Sequence, residues 1–306
     1  MPTPTPSPLL ASLVQLSSDL EQQSFPEGAL YVVATPIGNI ADISLRALKV
    51  LSIVNAVACE DTRNTGLLMS RLGLSTPLFS AHQHNERESA EKILVRLHKG
   101  ERIALVSDAG TPAVSDPGAH IVDAVIQAGL RVIPIAGACA ALAALSVSGL
   151  IANEFHFIGF LPSKASHRAQ LLSRLARMSA TLIIYEAPHR ILEAAQALTT
   201  VLGDERRVVV AREISKLFEQ LHRCKLSELS HWLTAAPEHQ KGEFVLLIEA
   251  AETSDQPDVS EATRVLSILL ESHTVSQAAA LAARITGLKK NALYELALKL
   301  QPEEKE

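Results

Sequence analysis

The sequence predicts an α/β protein whose first half is built on a mostly parallel sheet. Two observations carry this. Short aliphatic, β-branched runs alternate with Ala/Leu-rich stretches of helical length, and nearly every run ends in a turn rich in Gly, Pro or Asp. Aromatic residues make up only 4% of the 306 residues, so the core is expected to consist of Leu, Val, Ile and Ala.

Order is expected to begin at Ala29. Leu30–Ala34 reads as a buried strand that stops at Thr35-Pro36-Ile37-Gly38-Asn39, and Asp42 or Ser44 can cap the helix that follows. Ala56–Cys59 is a second strand running into Glu60-Asp61-Thr62-Arg63, followed by a helix over Gly66–Leu72 and a short strand near Leu78–Ala81. A helix over Arg87–Lys99 ends at Gly100, a suitable residue just past a helix end. Ile103–Ser107 is the clearest central strand and feeds Asp108-Ala109-Gly110-Thr111-Pro112. Val132–Ile135 is the next strand, leading through Ala136-Gly137-Ala138-Cys139 into an Ala-rich helix that ends near Gly149. Ligands of such sheets bind outside the carboxyl ends of the strands, so the loops after Ala34, Cys59, Ser107 and Ile135 are where chemistry is expected.

Composition shifts after Gly149. Strands over Phe155–Phe160 and Leu182–Glu186 are followed by two runs, Arg207–Glu213 and Lys216–Arg223, that read as an antiparallel pair, and Lys241-Gly242-Glu243 opens a further strand. These predict a second α+β domain with a mixed sheet. Past Ala250 a polar stretch, Glu252–Asp258, reads as a linker. Helical patterns over Ser260–Leu270, Ser276–Ile285 and Asn291–Leu300 follow, the last two separated by a Gly-containing turn, as in a helix-turn-helix. The expected division is a disordered leader over residues 1–28, with a short amphipathic helix around Leu9–Leu20 as the alternative within it, domains over 29–150 and 151–251, and a helical extension over 259–306.

The formal net charge of −5 is a poor match to a chain that grips nucleic acid over its whole surface. Three scattered cysteines, Cys59, Cys139 and Cys224, have no zinc spacing, and no metal site is expected. His82 and His84 are two apart without a third ligand nearby. The first residues lack the basic start of a secretory signal, and the apolar stretch after them is too short to cross a bilayer, so a soluble, cytoplasmic protein is expected.

The loops carry a more specific signal. TPIGNIADIS (35–44), EDTRNTGLL (60–68), HNE (84–86), ALVSDAGTPAVSDPG (104–118), GFLPSK (159–164), YEAPHR (185–190), ARE (211–213), KGE (241–243) and KKNALY (289–294) occur in register. Together they resemble the ribosomal RNA small-subunit methyltransferase branch of the tetrapyrrole-methylase superfamily, the class III methyltransferases. The resemblance covers nearly everything from Leu30 to Leu300. It departs at Ala136 and Ala138, where the family usually carries prolines. Loss of two φ restraints loosens that loop, while Gly137 keeps the close backbone approach.

The resemblance implies S-adenosylmethionine bound in a cleft between two domains. Its site would involve Pro36, Gly38, Asp108, Ala109, Gly110, Thr111, Val114, Gly137, Ala138, Cys139, Tyr185, Glu186, Ala211 and Gly242. It implies 2′-O-methylation of a cytidine ribose in 16S rRNA of the small ribosomal subunit, with no membrane partner, by a homodimer. Methyl transfer to oxygen is an in-line displacement that gains from a positioned base. Carboxylate candidates are Glu60, Asp61, Asp108, Glu186 and Glu213, with His84 and His189 as imidazole candidates. Arg63, Lys164, Arg190, Lys289 and Lys290 are candidate RNA contacts; Glu60 and Asp61 read equally as a loop salt bridge that orders Arg63, and Lys289-Lys290 equally as a pair capping the preceding helix end. Two other functions stay open: a non-catalytic ribosome assembly factor that keeps a cofactor pocket, and a tetrapyrrole C-methyltransferase. The Thr35–Asn39 loop lacks the glycine pattern of the latter and also fails the dinucleotide fingerprint.

Overall fold

The computed structural model describes residues 8–83, 85–151, 153–251 and 259–300. The chain divides into two compact units, Met1–Ala251 and Glu252–Glu306. The first unit carries two five-stranded sheets, one in each of two lobes.

The first lobe runs α1 (Pro8–Glu21), β1 (Ala29–Val33), α2 (Leu45–Ile53), β2 (Ala56–Cys59), α3 (Thr62–Arg71), β3 (Leu78–Ser80), α4 (Glu86–His98), β4 (Ile103–Val106), α5 (Ala119–Gln127) and β5 (Arg131–Ile135). Its sheet is wholly parallel, in the order β3-β2-β4-β1-β5. The strands are apolar on both faces, as a sheet covered on both sides requires. In β1, Tyr31 and Val33 join the cluster of α2 residues Ala47, Val50 and Leu51, while Leu30 joins that of α4 and α5 residues Ile93, Leu97, Ile121 and Val125. Ser44 caps α2 by accepting from the Ala47 amide.

The expected disorder over residues 1–28 does not hold for Pro8–Glu21, which forms α1. Leu20 is buried, and Glu21 pairs with Lys49 of α2 at 2.6 Å, so one end of this helix is held by packing and charge. Residues 1–7 lie outside the described residues.

The second lobe runs β6 (Phe155–Phe160), α7 (Ala165–Leu175), β7 (Thr181–Glu186), α8 (Ile191–Leu202), β8 (Arg207–Arg212), β9 (Gln220–Lys225), α9 (Leu226–Ala235) and β10 (Phe244–Ile248). Its sheet is mixed, in the order β6-β7-β10-β8-β9, with only β6 and β7 parallel. The last strand in the chain takes the central place, and all five of its residues are buried. One sheet face packs on α7, α8 and α9. The other receives α6 (Ala140–Ser148), the helix that leaves the first sheet: Ala141 and Ala144 share a buried cluster with Ile183, Val209, Ala211, Val245 and Leu247. Alanines let the helix approach the sheet closely, and this packing joins the lobes.

The strand expected over Lys216–Arg223 begins only at Gln220. Glu213 and Ser215 take left-handed backbone angles (φ +53° and +67°), which breaks the extended run and forms a turn around Lys216.

The second unit holds α10 (Val259–Leu270), α11 (Val275–Thr286) and α12 (Lys290–Leu300) around Leu266, Ala278, Ala282, Leu293 and Ala297. Thr274 and Gln277 cap the start of α11 reciprocally, and Gly287 closes it at φ +73°. The expected linker over 252–258 lies outside the described residues, as do residues 301–306. Among the described residues no helix is long and apolar enough to cross a membrane.

The α6 joint is sensitive to volume. Ala144→Leu is expected to overpack it and cost about 1–3 kcal/mol in chemical denaturation. Leu142→Ala, on the exposed side of the same helix, should leave the midpoint nearly unchanged.

Candidate active site

The strand order of the first sheet reverses between β1 and β4. β1 continues to β2 beyond β4, and β4 continues to β5 beyond β1. The loops leaving β1 and β4 therefore part at the carboxyl edge and open a crevice, the position where such sheets bind ligands. A pair of backbone hydrogen bonds crosses it: the Thr35 amide donates to Gly110 O (2.9 Å) and the Gly110 amide to Thr35 O (3.1 Å). The Thr35 hydroxyl donates to Ser107 O at 3.2 Å, and that of Thr111 to Ala138 O at 3.0 Å. Gly110 adopts φ +85°, which turns the chain sharply back. A Cβ on Gly137 would lie 2.8 Å from the Ala34 Cβ, so this glycine lets the loop after β5 lie against the end of β1.

Above these loops is a cavity of about 410 Å³, within the size range of small-molecule sites. Asp108–Thr111, Val114–Asp116, Ile37, Cys139 and Ala140 line it from the first half of the chain, and Phe160, Tyr185–Pro188, Ala211, Ile214 and Glu243–Val245 from the second. Its walls are largely apolar, with carboxylates and hydroxyls at a few points. That donor set suits a ligand with a flat apolar part, hydroxyls and a positive centre. Tyr185 is fixed in the wall. Its hydroxyl accepts from the Ala141 amide at 3.0 Å, its ring meets Phe157 and Phe160 edge-on at 5.0 and 5.8 Å, and burial pushes its pKa up.

Four carboxylates gather at the carboxyl edge. Asp108 lines the cavity and accepts from the Asp61 amide (3.2 Å) and the Asn64 side chain (2.7 Å). Burial, reinforced by the neighbouring carboxylates, holds Glu60 above the usual carboxylate range. Burial also raises Asp116, outweighing the hydrogen bond from Ser107. Asp61 is different: hydrogen bonds from the Arg63 side chain and amide hold it down at about 2, and it caps α3. One cluster thus contains carboxylates whose surroundings push their pKa values apart, Asp61 downward and Glu60 and Asp116 upward. Ala113 and Ser115, at φ +66° and +63°, turn the chain so that Asp116 returns to the cavity. A Cβ on Gly159 would lie 2.7 Å from Ser115 Oγ, so β6 makes room for that turn.

A second cluster spans the lobes at the cavity mouth. Lys216 Nζ pairs with Glu213 and Glu243, each at 2.9 Å, and the Glu243 amide donates to Glu213 Oε1 at 2.9 Å. The Ser215 hydroxyl bonds Asp42 of the first lobe. Gly38 and Gly242, both at positive φ, admit this cluster: an added Cβ would lie 2.4 Å from Lys216 and 2.5 Å from Glu213.

Of the cofactor candidates, Asp108, Ala109, Gly110, Thr111, Val114, Cys139, Tyr185, Glu186 and Ala211 line the cavity. Pro36, Gly38, Gly137, Ala138 and Gly242 do not. They shape the chain behind it, the glycines by close approach and Ala138 through its carbonyl. Glu186 does not present its carboxylate there. It follows Tyr185 on β7, so its side chain projects from the opposite face, where Oε1 meets Arg190 at 3.3 Å and the Ala187 amide at 2.9 Å. His189 is exposed on the short 3-10 turn Pro188–Arg190, and His84 lies outside the described residues. Glu213 belongs to the Lys216 cluster. Among the RNA candidates, Arg63 is bound to Asp61, and Arg190 to Glu186 and Leu161 O, whereas Lys164, Lys289 and Lys290 are exposed. No group of three potential metal ligands occurs among the described residues. Sequence reasoning missed Asp116, Phe160 and Glu243. Asp116 sits in the same run as Asp108 and was within reach; the other two are brought in by the second lobe.

Two outcomes follow. Asp61 has a depressed pKa, so its stabilising contribution is complete above the ordinary carboxylate pKa of ~3.9. It is lost as pH falls through about 2, and a carboxyl NMR titration should place its midpoint there. Gly242→Ala should cost at least about 1–2 kcal/mol in denaturation, because it combines a left-handed angle with a collision at Glu213.

Residues 29–230 match the family of Tetrapyrrole (Corrin/Porphyrin) Methylases, and residues 256–301 the RsmI C-terminal HTH domain. The chain is 49% identical over 276 residues to Ribosomal RNA small subunit methyltransferase I of Pseudomonas aeruginosa, covering 90% of this chain and 98% of the relative. It is 46% identical over 275 residues to the protein of that name from Escherichia coli O157:H7, covering 90% and 96%. Among solved structures, the methyltransferase CobJ superposes with a TM-score of 0.56 at 19% identity, covering 73% of this chain and 95% of that one. Uroporphyrin-III C-methyl transferase from Thermus thermophilus, complexed with S-adenosyl homocysteine, superposes at 0.52 and 18%, covering 72% and 97%. The two structures share the fold, and the sequence relatives fix the branch: this chain belongs to the ribosomal RNA small subunit methyltransferase I family of tetrapyrrole methylases.

Proposed function

We propose that this protein transfers the methyl group of S-adenosylmethionine to the 2′-hydroxyl of a cytidine in the decoding region of 16S rRNA, in the cytoplasm and as a homodimer. The observation that carries the methyl-transfer reading is the cavity at the strand-order reversal, with backbone loops on one side and Tyr185 on the other. The names of the relatives support small-subunit rRNA as the acceptor, and the neighbour complexed with S-adenosyl homocysteine supports the donor.

When bound, the donor supplies an electrophilic methyl carbon on a sulfonium. The chain's own residues do the rest. Asp108–Thr111 and Tyr185 would hold the donor against the apolar wall, and the carboxylates favour its positive charge. Orientation of the reactants is the main lever, worth up to about 7–11 kcal/mol when ideal. Asp116 is the best-placed proton acceptor: it lines the cavity and is half-buried, and burial lifts its pKa toward working pH. The acidic cavity repels RNA phosphates, so phosphate contacts fall to exposed cations such as Lys164, Lys289 and Lys290.

The test is purified protein, labelled donor and 30S subunits or free 16S rRNA, with the modified nucleotide mapped. Label on a cytidine ribose of the decoding region is expected; label on a tetrapyrrole, or on no RNA, rejects the reading. Asp116→Asn should lower kcat by roughly 10²–10⁴-fold and remove the acid limb of its pH profile. That limb rises with pH as the carboxyl ionises, and the raised pKa moves it upward. Donor or demethylated product at about 100 times Kd should stabilise the fold by ~2.7 kcal/mol. Sedimentation at micromolar concentration tests the dimer.

A further inference from the structure

We propose that Phe160 is the platform on which the acceptor nucleobase stacks while its ribose faces the methyl donor, an inference that rests on the RNA reading above. Phe160 lines the cavity yet is 51% exposed, whereas Phe244, which also lines it, is 2% exposed. A half-exposed phenyl at a cavity wall leaves apolar surface open to a ligand arriving from outside. Its position is set by strand pairing. It ends β6, the edge strand of the second sheet, and pairs in register with Tyr185. The two rings meet edge to face at 5.8 Å and 68°, and such a contact occupies at most one face of either ring. Tyr185 is itself held by Phe157 at 5.0 Å and by the Ala141 amide, and Arg190 clamps the next carbonyl, that of Leu161.

A flat, pre-oriented ring with a free face is what an unstacked base needs. A ribose 2′-oxygen inside a structured RNA reaches a buried methyl donor only if its nucleotide is drawn out of the stack, and the extruded base is then held by stacking on an apolar ring. Lys164, exposed and four residues on, lies within ~14 Å of Phe160 along the chain, close enough to meet a phosphate flanking the same nucleotide. The cavity carboxylates disfavour phosphates, so the base and not the backbone is the part of the acceptor suited to this wall.

The experiment compares wild type with Phe160→Leu, which keeps an apolar side chain but removes the ring, and Phe160→Trp, which keeps a stacking surface. kcat/KM for RNA methylation is measured alongside the Kd of S-adenosylhomocysteine and the Tm. F160L should lose roughly 5- to 150-fold in kcat/KM, as expected for loss of one base–aromatic stack. F160W should retain most of it, with Kd and Tm close to wild type in both. Unchanged kcat/KM in F160L overturns the proposal. So does a parallel loss of S-adenosylhomocysteine affinity, which would make Phe160 a wall for the donor. If F160L lowers Tm, F160W decides: activity no better than that of F160L at equal folded fraction also overturns it. A wild-type protein that methylates no RNA defeats the RNA reading and this inference together, while an active wild type with an indifferent F160L defeats this inference alone.

Discussion

The site depends on two backbone hydrogen bonds between Thr35 and Gly110. A parallel sheet whose order reverses leaves the loops of two adjacent strands heading to opposite sides, and nothing in the strands themselves holds those loops together. The reciprocal pair closes the gap at its narrowest point. Thr35, almost fully buried, adds its hydroxyl to Ser107 O, and Thr111 ties the same loop to the one after β5. Small residues sit in these loops: Ala109 and Gly110 line the cavity, and Ala138 behind it accepts from Thr111 through its carbonyl. Gly137 lies against Ala34, even without the prolines usual in the family.

Closing the cavity from above requires the second lobe to keep its distance and angle. α6 does this by apolar packing, with alanines against the second sheet. The hydrogen bond from Ser215 to Asp42 and the close approach of Lys216 to Gly38 tie the lobes at a second point. Among the described residues, the four non-glycine residues at positive φ, Ala113, Ser115, Glu213 and Ser215, all lie in the two turns that flank the cavity. Left-handed angles at such residues cost of order 1 kcal/mol each and persist where the surroundings over-determine them. Here Gly159 makes room for Ser115, and the ion pairs and Asp42 hold the turn around Glu213 and Ser215. The strain is local to the place where the two halves of the chain must meet.

What was legible in the sequence follows from the range of the forces involved. The strands of the first sheet, the Ser44 cap and the closing role of Gly100 are written in nearest neighbours, and they appear where periodicity and turn chemistry put them. The loop Asp108–Thr111 was legible because a strand end followed by Ala-Gly has few other uses. Glu186 shows the limit. Its neighbour Tyr185 lines the cavity, and strand alternation sends the carboxylate to the other face, toward Arg190. The pairing register decides which of the two faces inward, and that is set by β6 and β10, distant in the chain. Phe160 and Glu243 were hidden for the same reason. Gly38 and Gly242 were noticed as site residues, but their partners, Lys216 and Glu213, lie far away in sequence, so the reason for glycine was not readable.

The net charge of −5 counted against an RNA partner, and the site shows why a sum is the wrong quantity. Glu60, Asp61, Asp108 and Asp116 crowd one edge of the first sheet, so much of the negative charge is concentrated at one place. Several cations are paired with carboxylates of the same chain: Arg190 with Glu186, Arg63 with Asp61, Lys216 with Glu213 and Glu243. Charges paired this way cancel within the molecule and add little to its outward field. Exposed cations remain among the described residues, including Lys164 in the second lobe and Lys289 and Lys290 at the start of α12. A base held by stacking on a ring needs no cation at the stacking wall, so the base contact proposed at Phe160 is compatible with carboxylates lining the same cavity.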